Sequence, residues 1–147
     1  MSAVTVIAIV LGGQAVIWLL IYVFGFKRQR EQLAKSLRKS ELTGEHIVIS
    51  PQNGYYAKTR GRASIKSMGV MALTDRRLIF RLPLWGGFEI PIENIAGVSE
   101  ALWFQGMYRN GRQFLVVRQR DGTEIGFQTK NAQAWADALK SLVISNT

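Results

Sequence analysis

From Val4 to Phe26 no charged residue interrupts the chain, and the run stops at Lys27-Arg28-Gln29-Arg30. A helix rising ~1.5 Å per residue crosses ~30 Å of hydrocarbon with about 20 mostly apolar residues, because unpaired backbone groups cannot face lipid. The pattern therefore predicts a transmembrane anchor over 1–26. A cleaved secretory signal would begin with basic residues and end in small ones, whereas no Lys or Arg precedes this run and Val23-Phe24-Gly25-Phe26 is bulky. A buried helix that is apolar all round needs a larger surrounding core than the rest of the chain supplies. Positive charge on the carboxyl side, at Lys27, Arg28, Arg30, Lys35, Arg38 and Lys39, orients the anchor with the N-terminus outside and the C-terminal domain cytoplasmic, single-pass in the cell membrane.

Between residues 27 and 44 the pattern continues as a basic juxtamembrane helix or linker. Leu33 and Leu37 are four apart, and Thr43-Gly44 supplies a stop, so a stalk or a surface-lying turn is expected. From His46 the period changes to that of strands. His46–Ser50 closes at Pro51-Gln52-Asn53-Gly54, and Tyr55–Arg60 follows. Gly69–Leu73, Arg77–Leu82, Gly87–Ile92, Ile95–Trp103, Phe114–Arg120 and Thr123–Gln128 continue the series between turn residues. Asp121-Gly122 predicts a two-residue hairpin turn with positive φ angles, and Asn110-Gly111 a second turn. The chain closes in a helix N-capped by Asn131, with Ala132, Trp135, Leu139, Leu142 and Val143 on one face. About seven antiparallel strands and one amphipathic helix predict a small mainly β barrel over 45–147, its open end plugged by Trp135.

Two segments carry a resemblance. Gly69-Val-Met-Ala-Leu-Thr-Asp-Arg-Arg-Leu-Ile-Phe80, then Phe88-Glu-Ile-Pro-Ile-Glu-Asn-Ile-Ala-Gly-Val98 and the terminal Trp-bearing helix, resemble the PH-like domains of the GRAM and bacterial PH type. There a Gly-x-Leu-x-Leu-Thr-x-x-Arg-Leu-x-Phe-like hairpin precedes a strand ending in Ile/Leu-x-x-Ile; Met71 stands where the pattern has its first Leu. The likeness covers about Glu45 to Val143. It implies a bent PH-like barrel capped by a C-terminal helix, binding phosphoinositides, other lipids or proteins without catalysis.

Composition narrows the partners. The 147 residues carry a net charge of +9 and no cysteine. Disulfides, thiolate nucleophiles and Cys-ligated metals are thereby excluded. Basic residues are densest between Lys27 and Lys39, where each gains about 1 kcal/mol beside an anionic leaflet, so anionic membrane lipids are the expected partners. Nucleic acid is not expected, because the strand region offers no recognition element.

Candidate chemistry points to binding rather than to an enzyme. The single histidine, His46, has only Glu45 beside it, and Ser64, Ser67 and Ser99 lack an evident base. Glu89 and Glu93 are an isolated carboxylate pair, and no Gly-rich phosphate loop is present. No metal, cofactor or small-molecule substrate is expected. Lys58, Arg60 and Arg62 alternate along a strand, with Lys66 beyond, and would form a comb for headgroup phosphates; a solvated edge-strand face is the plainer reading. Arg76 and Arg77 form a second basic patch. Trp85 and Phe88, and Trp103, Phe104, Met107 and Tyr108, lie beside turns, where aromatic groups serve a partner or bilayer surface or else fill the core.

A membrane protein partner is a further expectation. Ala8, Gly12 and Ala15 form a small-residue strip in the first helix, and Gln14 offers an amide for pairing with another helix. The sequence thus predicts a membrane-anchored, non-catalytic interaction or scaffold module at an anionic surface. A headgroup sensor and an accessory subunit of a larger membrane complex are the alternatives.

Overall fold

The computed structural model describes residues 3–41, 44–59, 67–82, 86–108 and 110–146, with side chains from Gln14 onward except at 26, 40, 41, 58 and 59. Helix α1 is Ala3–Glu41. Among the described residues nine strands follow: β1 Ile47–Thr59, β2 Ser67–Thr74, β3 Arg77–Leu82, β4 Gly86–Pro91, β5 Ile95–Ala101, β6 Trp103–Phe104, β7 Met107–Tyr108, β8 Phe114–Gln119 and β9 Glu124–Gln128. A 3-10 turn, Ile92–Asn94, links β4 to β5, and helix α2 is Ala132–Ser145.

Seven of the strands form one antiparallel sheet in the order β4-β3-β2-β1-β9-β8-β5. The two meanders meet where the last strand, β9, pairs with β1. This is possible because β1 is long and irregular: its register with β2 shifts between Ile47 and Ile49 and again between Ile49 and Gln52. The expected break at Pro51–Gly54 is instead a bulged stretch inside a single strand, so the two short strands read from the sequence are one. Bulges bend a strand and raise its twist, which lets β1 serve both halves of the sheet. Between the outer strands β4 and β5, α2 packs over β5, β8 and the 3-10 turn.

Alternation along the strands sends Met71, Leu73, Leu78, Phe80, Leu115, Val117, Ile125 and Phe127 into one core, where Trp135, Ala136 and Leu139 of α2 join them. Trp135 is fully buried, as the plug reading required. The Asn131 side chain accepts the Ala134 N–H at 3.1 Å and caps the helix. Tyr56, Phe80, Phe88 and Phe127 form an aromatic cluster; Phe80 stacks on Phe88 at 5.4 Å and Tyr56 tilts against it at 5.1 Å.

Strand β2 is buried on both faces from Val70 onward. Its second face, Val70 and Ala72, lies with Ile79 of β3 beneath Leu37, Leu33 and Ala34 of α1. The helix is one unbroken element whose second half rests on the outside of the barrel, and the Leu33/Leu37 pair is its docking stripe.

Among the described residues no helix is long and apolar enough to cross a membrane. The expected transmembrane anchor and its single-pass topology are therefore corrected. The helix runs directly into Lys27–Lys39, where one face is committed to the barrel. The side chains of 14–25 are all exposed.

The turns show one further difference. Only Gly122 of Asp121-Gly122 has positive φ, at 84°. Gly122 N–H donates to Gln119 O at 3.0 Å, Gln119 N–H donates to Thr123 O at 2.8 Å, and Asp121 Oδ1 accepts the Thr123 N–H at 2.9 Å. The connection is a wider turn ending in a left-handed glycine, which relieves Asp121 of an unfavourable φ. Asn110 and Gly111 turn as expected, with φ of 45° and 71°.

Candidate functional site

The Thr74-Asp75-Arg76-Arg77 turn between β2 and β3 is held from within. Thr74 is fully buried; its hydroxyl donates to Glu45 Oε2 at 2.9 Å and accepts the N–H groups of Arg76 (3.2 Å) and Arg77 (3.1 Å). Asp75 exchanges bonds with His46: its N–H donates to His46 O at 2.9 Å, and its Oδ1 accepts the His46 N–H at 3.1 Å. The motif thus ties the β2–β3 turn to the start of β1.

Arg77 completes the tie. Its Nε donates to Glu45 Oε2 at 3.0 Å, its Nη2 meets Oε1 at 2.9 Å, and its Nη1 reaches Glu89 Oε2 at 2.6 Å. Arg81 bonds the other oxygen of Glu89. The hydrogen bond to Glu45 is the largest influence on Arg77; with both carboxylate charges it outweighs burial and raises the guanidinium pKa. Burial alone would raise the Glu89 pKa, but bonds from Arg81 and Arg77 and their charges outweigh it and hold it below the ordinary carboxylate value. Arg77 is thus engaged inside the protein, whereas Arg76 is exposed.

The remaining basic candidates are spread widely. Lys27, Arg28, Lys35, Arg38 and Lys39 are exposed on α1, and Arg30 is half-buried. Lys58 stands near the end of β1, its side chain outside the described set, and Arg60, Arg62 and Lys66 lie outside the described residues. Gln14 and Ala15 are exposed; Ala8 and Gly12 are on the α1 backbone, their side chains outside the described set.

The aromatic segments divide sharply. Phe88 is half-buried against the core, and Trp85 lies outside the described residues. The second segment forms a small hairpin, β6–β7, around Gln105-Gly106, whose φ angles are 47° and 77°. Phe104 turns inward onto Ala57, Phe114 and Val116, with Met107 packed beside them. Trp103 and Tyr108 turn outward and stack at 5.0 Å, leaving 65% and 50% of their surfaces exposed. One hairpin therefore has a structural face and a free aromatic face.

A cleft that sequence reasoning missed lies on the flank of the barrel beside α2. It has a volume of about 640 Å³ and is lined by Asn53, Tyr55, Asn110, Arg112, Gln128 and Lys130 among others. An adjoining hollow of about 490 Å³ shares Arg112, Thr129 and Lys130 and reaches Ala132 and Gln133 of the first turn of α2. The residues come from β1, β2, the β7–β8 loop, the end of β9 and the segment that follows it, and no spacing in the chain announces their meeting. No group of three or more His, Cys, Asp or Glu placed to hold a metal occurs among the described residues.

The seven antiparallel strands and the capping C-terminal helix define a PH-like fold. Among solved structures the chain is similar to the C-terminal domain of an unknown protein from Leishmania infantum, at 21% identity and a TM-score of 0.57, covering 76% of this chain and 98% of that one. This likeness is one of fold. Further matches include the N-terminal PH domain of Vps36, at 19% identity and a TM-score of 0.46 over 69% of this chain and 83% of that one. Another is a structure from a screen for protein–lipid interactions in Saccharomyces cerevisiae, at 15% identity and 0.44 over 63% and 93%. No protein-family model and no curated protein matches the chain.

Proposed function

We propose that this PH-like protein is a non-catalytic interaction module that works at an anionic membrane surface, and that within its fold class it is of the GRAM or bacterial PH type. The observation that carries the reading is the first half of α1. Val16–Phe24 present exposed Trp, Tyr, Phe, Leu, Ile and Val side chains, and the same helix continues into exposed Lys27, Arg28, Lys35, Arg38 and Lys39. Contiguous exposed apolar surface marks a contact with lipid or protein, and basic residues beside it gain from an anionic leaflet. The cytoplasmic leaflet supplies that charge, so we place the domain on its side.

Sedimentation of the full chain with vesicles tests the reading. Binding to phosphatidylserine vesicles that weakens with salt and with Lys27→Gln/Arg28→Gln is expected. Equal binding to phosphatidylcholine vesicles and no effect of the charge changes would overturn it. A headgroup role for Lys58, Arg60, Arg62 and Lys66 belongs to the same proposal and is tested by removing those charges in the same assay.

A second reading, an accessory subunit of a larger complex, is favoured by the exposed Trp103–Tyr108 stack. Aromatic anchors of this kind concentrate binding energy at protein interfaces. Stoichiometric recovery of a membrane partner that Trp103→Ala abolishes supports this reading.

A further inference from the structure

Two elements cover the outer side of the sheet, and they are neighbours. Alternation sends Tyr56, Leu115, Val117, Ile125 and Phe127 into the main core, so Ala57, Val116 and Gly126, which adjoin them in the chain, face outward. These residues form one row across β1, β9 and β8, with Ala57 paired to Gly126 and Gly126 to Val116. The Phe104 ring sits on that row, in the space that a side chain at Gly126 would fill. Close by, α1 covers the outer side of β2 and β3 through Leu37 on Val70, Ala72 and Ile79. Val70 pairs with Asn53, four residues before Ala57, so the two seats are about 13 Å apart along β1 and about 10 Å apart across the sheet.

A two-stranded hairpin is marginal by itself, and Phe104 and Met107 fix this one to the sheet. Its other face then holds Trp103 and Tyr108 outward, with Leu102 exposed beside them. We propose that this face is a second membrane contact, set at headgroup depth beside α1, so that the protein meets an anionic bilayer with the outer side of its sheet. The proposal rests on the reading of α1 as the first contact. Trp and Tyr each have an apolar body and a polar tip, the combination that lodges between headgroups and acyl chains. Arg112, exposed just past the hairpin, supplies charge that an anionic leaflet attracts. A protein partner needs no such placement. The position of the stack beside the apolar and basic surface of α1 is what favours lipid.

Brominated acyl chains quench a tryptophan that reaches them, and Trp135, 1% exposed, is silent in such an assay. In the full chain, Trp18→Phe/Trp85→Phe leaves Trp103 to report on the hairpin, and Trp85→Phe/Trp103→Phe leaves Trp18 to report on α1. Each variant is mixed with phosphatidylserine vesicles containing brominated lipid. Quenching of both reporters is expected, and Trp103→Ala/Tyr108→Ala should weaken vesicle binding about tenfold. Both side chains are exposed, so the far-ultraviolet spectrum of that variant should match the wild type. Quenching of Trp18 without Trp103 overturns the proposal, keeps the α1 reading and leaves the stack to a protein partner. An unchanged vesicle affinity in the double alanine variant overturns it too. Quenching of Trp103 without Trp18 sustains the hairpin contact and removes the α1 reading, and quenching of neither overturns both.

Discussion

Arg77 grips Glu45 through two parallel contacts, Nε to Oε2 at 3.0 Å and Nη2 to Oε1 at 2.9 Å, while its third nitrogen holds Glu89 at 2.6 Å. The planar guanidinium joins the segment before β1 to β3 and β4 at once. Lysine has a single charged nitrogen and cannot keep this fork. Arg77→Lys is expected to lower stability by about 1 kcal/mol, read as a fall in the urea midpoint with an unchanged slope.

Glu89 gives the same network a pH dependence. Its folded pKa lies below the ordinary 4.5, so its contribution is in place above that value and is lost as pH falls through the lower folded one. The group is about one-third exposed, and solvent screening holds the effect to roughly 0.5 kcal/mol. Wild type should exceed Glu89→Gln in stability at pH 6, and the difference should shrink in urea titrations as the pH is lowered below the ordinary carboxylate range.

Leu37, 3% exposed, is the most deeply buried contact of α1 with the barrel. Leu37→Ala leaves a cavity over Val70, Ala72 and Ile79 and should cost about 2–3 kcal/mol of docking free energy. Methyl NMR shifts of Val70 and Ile79 should move while those of Leu115 and Val117, in the other core, stay in place.

Gly126 in β9 lies directly under the Phe104 ring, where an added Cβ would meet the ring carbons. Gly126→Val should expel Phe104 and destabilise the β6–β7 hairpin by about 1–3 kcal/mol. The near-ultraviolet signature of the Trp103–Tyr108 stack should be lost, with the far-ultraviolet spectrum retained.

Much of the barrel was legible in the sequence because alternation and helical spacing report burial directly. The Trp135 face of α2, the Asn131 cap and the Arg77–Leu82 strand follow from pattern alone. Pro51–Gly54 misled because turn residues also build bulges, and only the pairing of β1 with two neighbours distinguishes these outcomes. The run Val70–Leu73 is buried on both faces because a helix distant in sequence covers it, a fact no local window contains. Counting apolar residues predicted a membrane-crossing helix, yet no described helix meets that requirement. Of the functional surfaces, Trp103, Phe104, Met107 and Tyr108 were read together as one candidate surface, and only the hairpin geometry separates the outward Trp103 and Tyr108 from the inward Phe104. Arg77 was read as ligand-facing, but its carboxylate partners are brought to it by tertiary structure. The Gln128–Lys130 cleft was invisible because its walls come from separate elements.

Because the chain contains no cysteine, a single label reports one position cleanly. The most direct measurement places an environment-sensitive fluorophore at Gln29→Cys in the basic part of α1 and, separately, at Lys140→Cys on α2, each mixed with phosphatidylserine vesicles. A blue shift at position 29 that salt reverses, with little change at position 140, is the expected result. Equal response at both positions, or none at position 29, would contradict the placement of α1 at an anionic membrane surface.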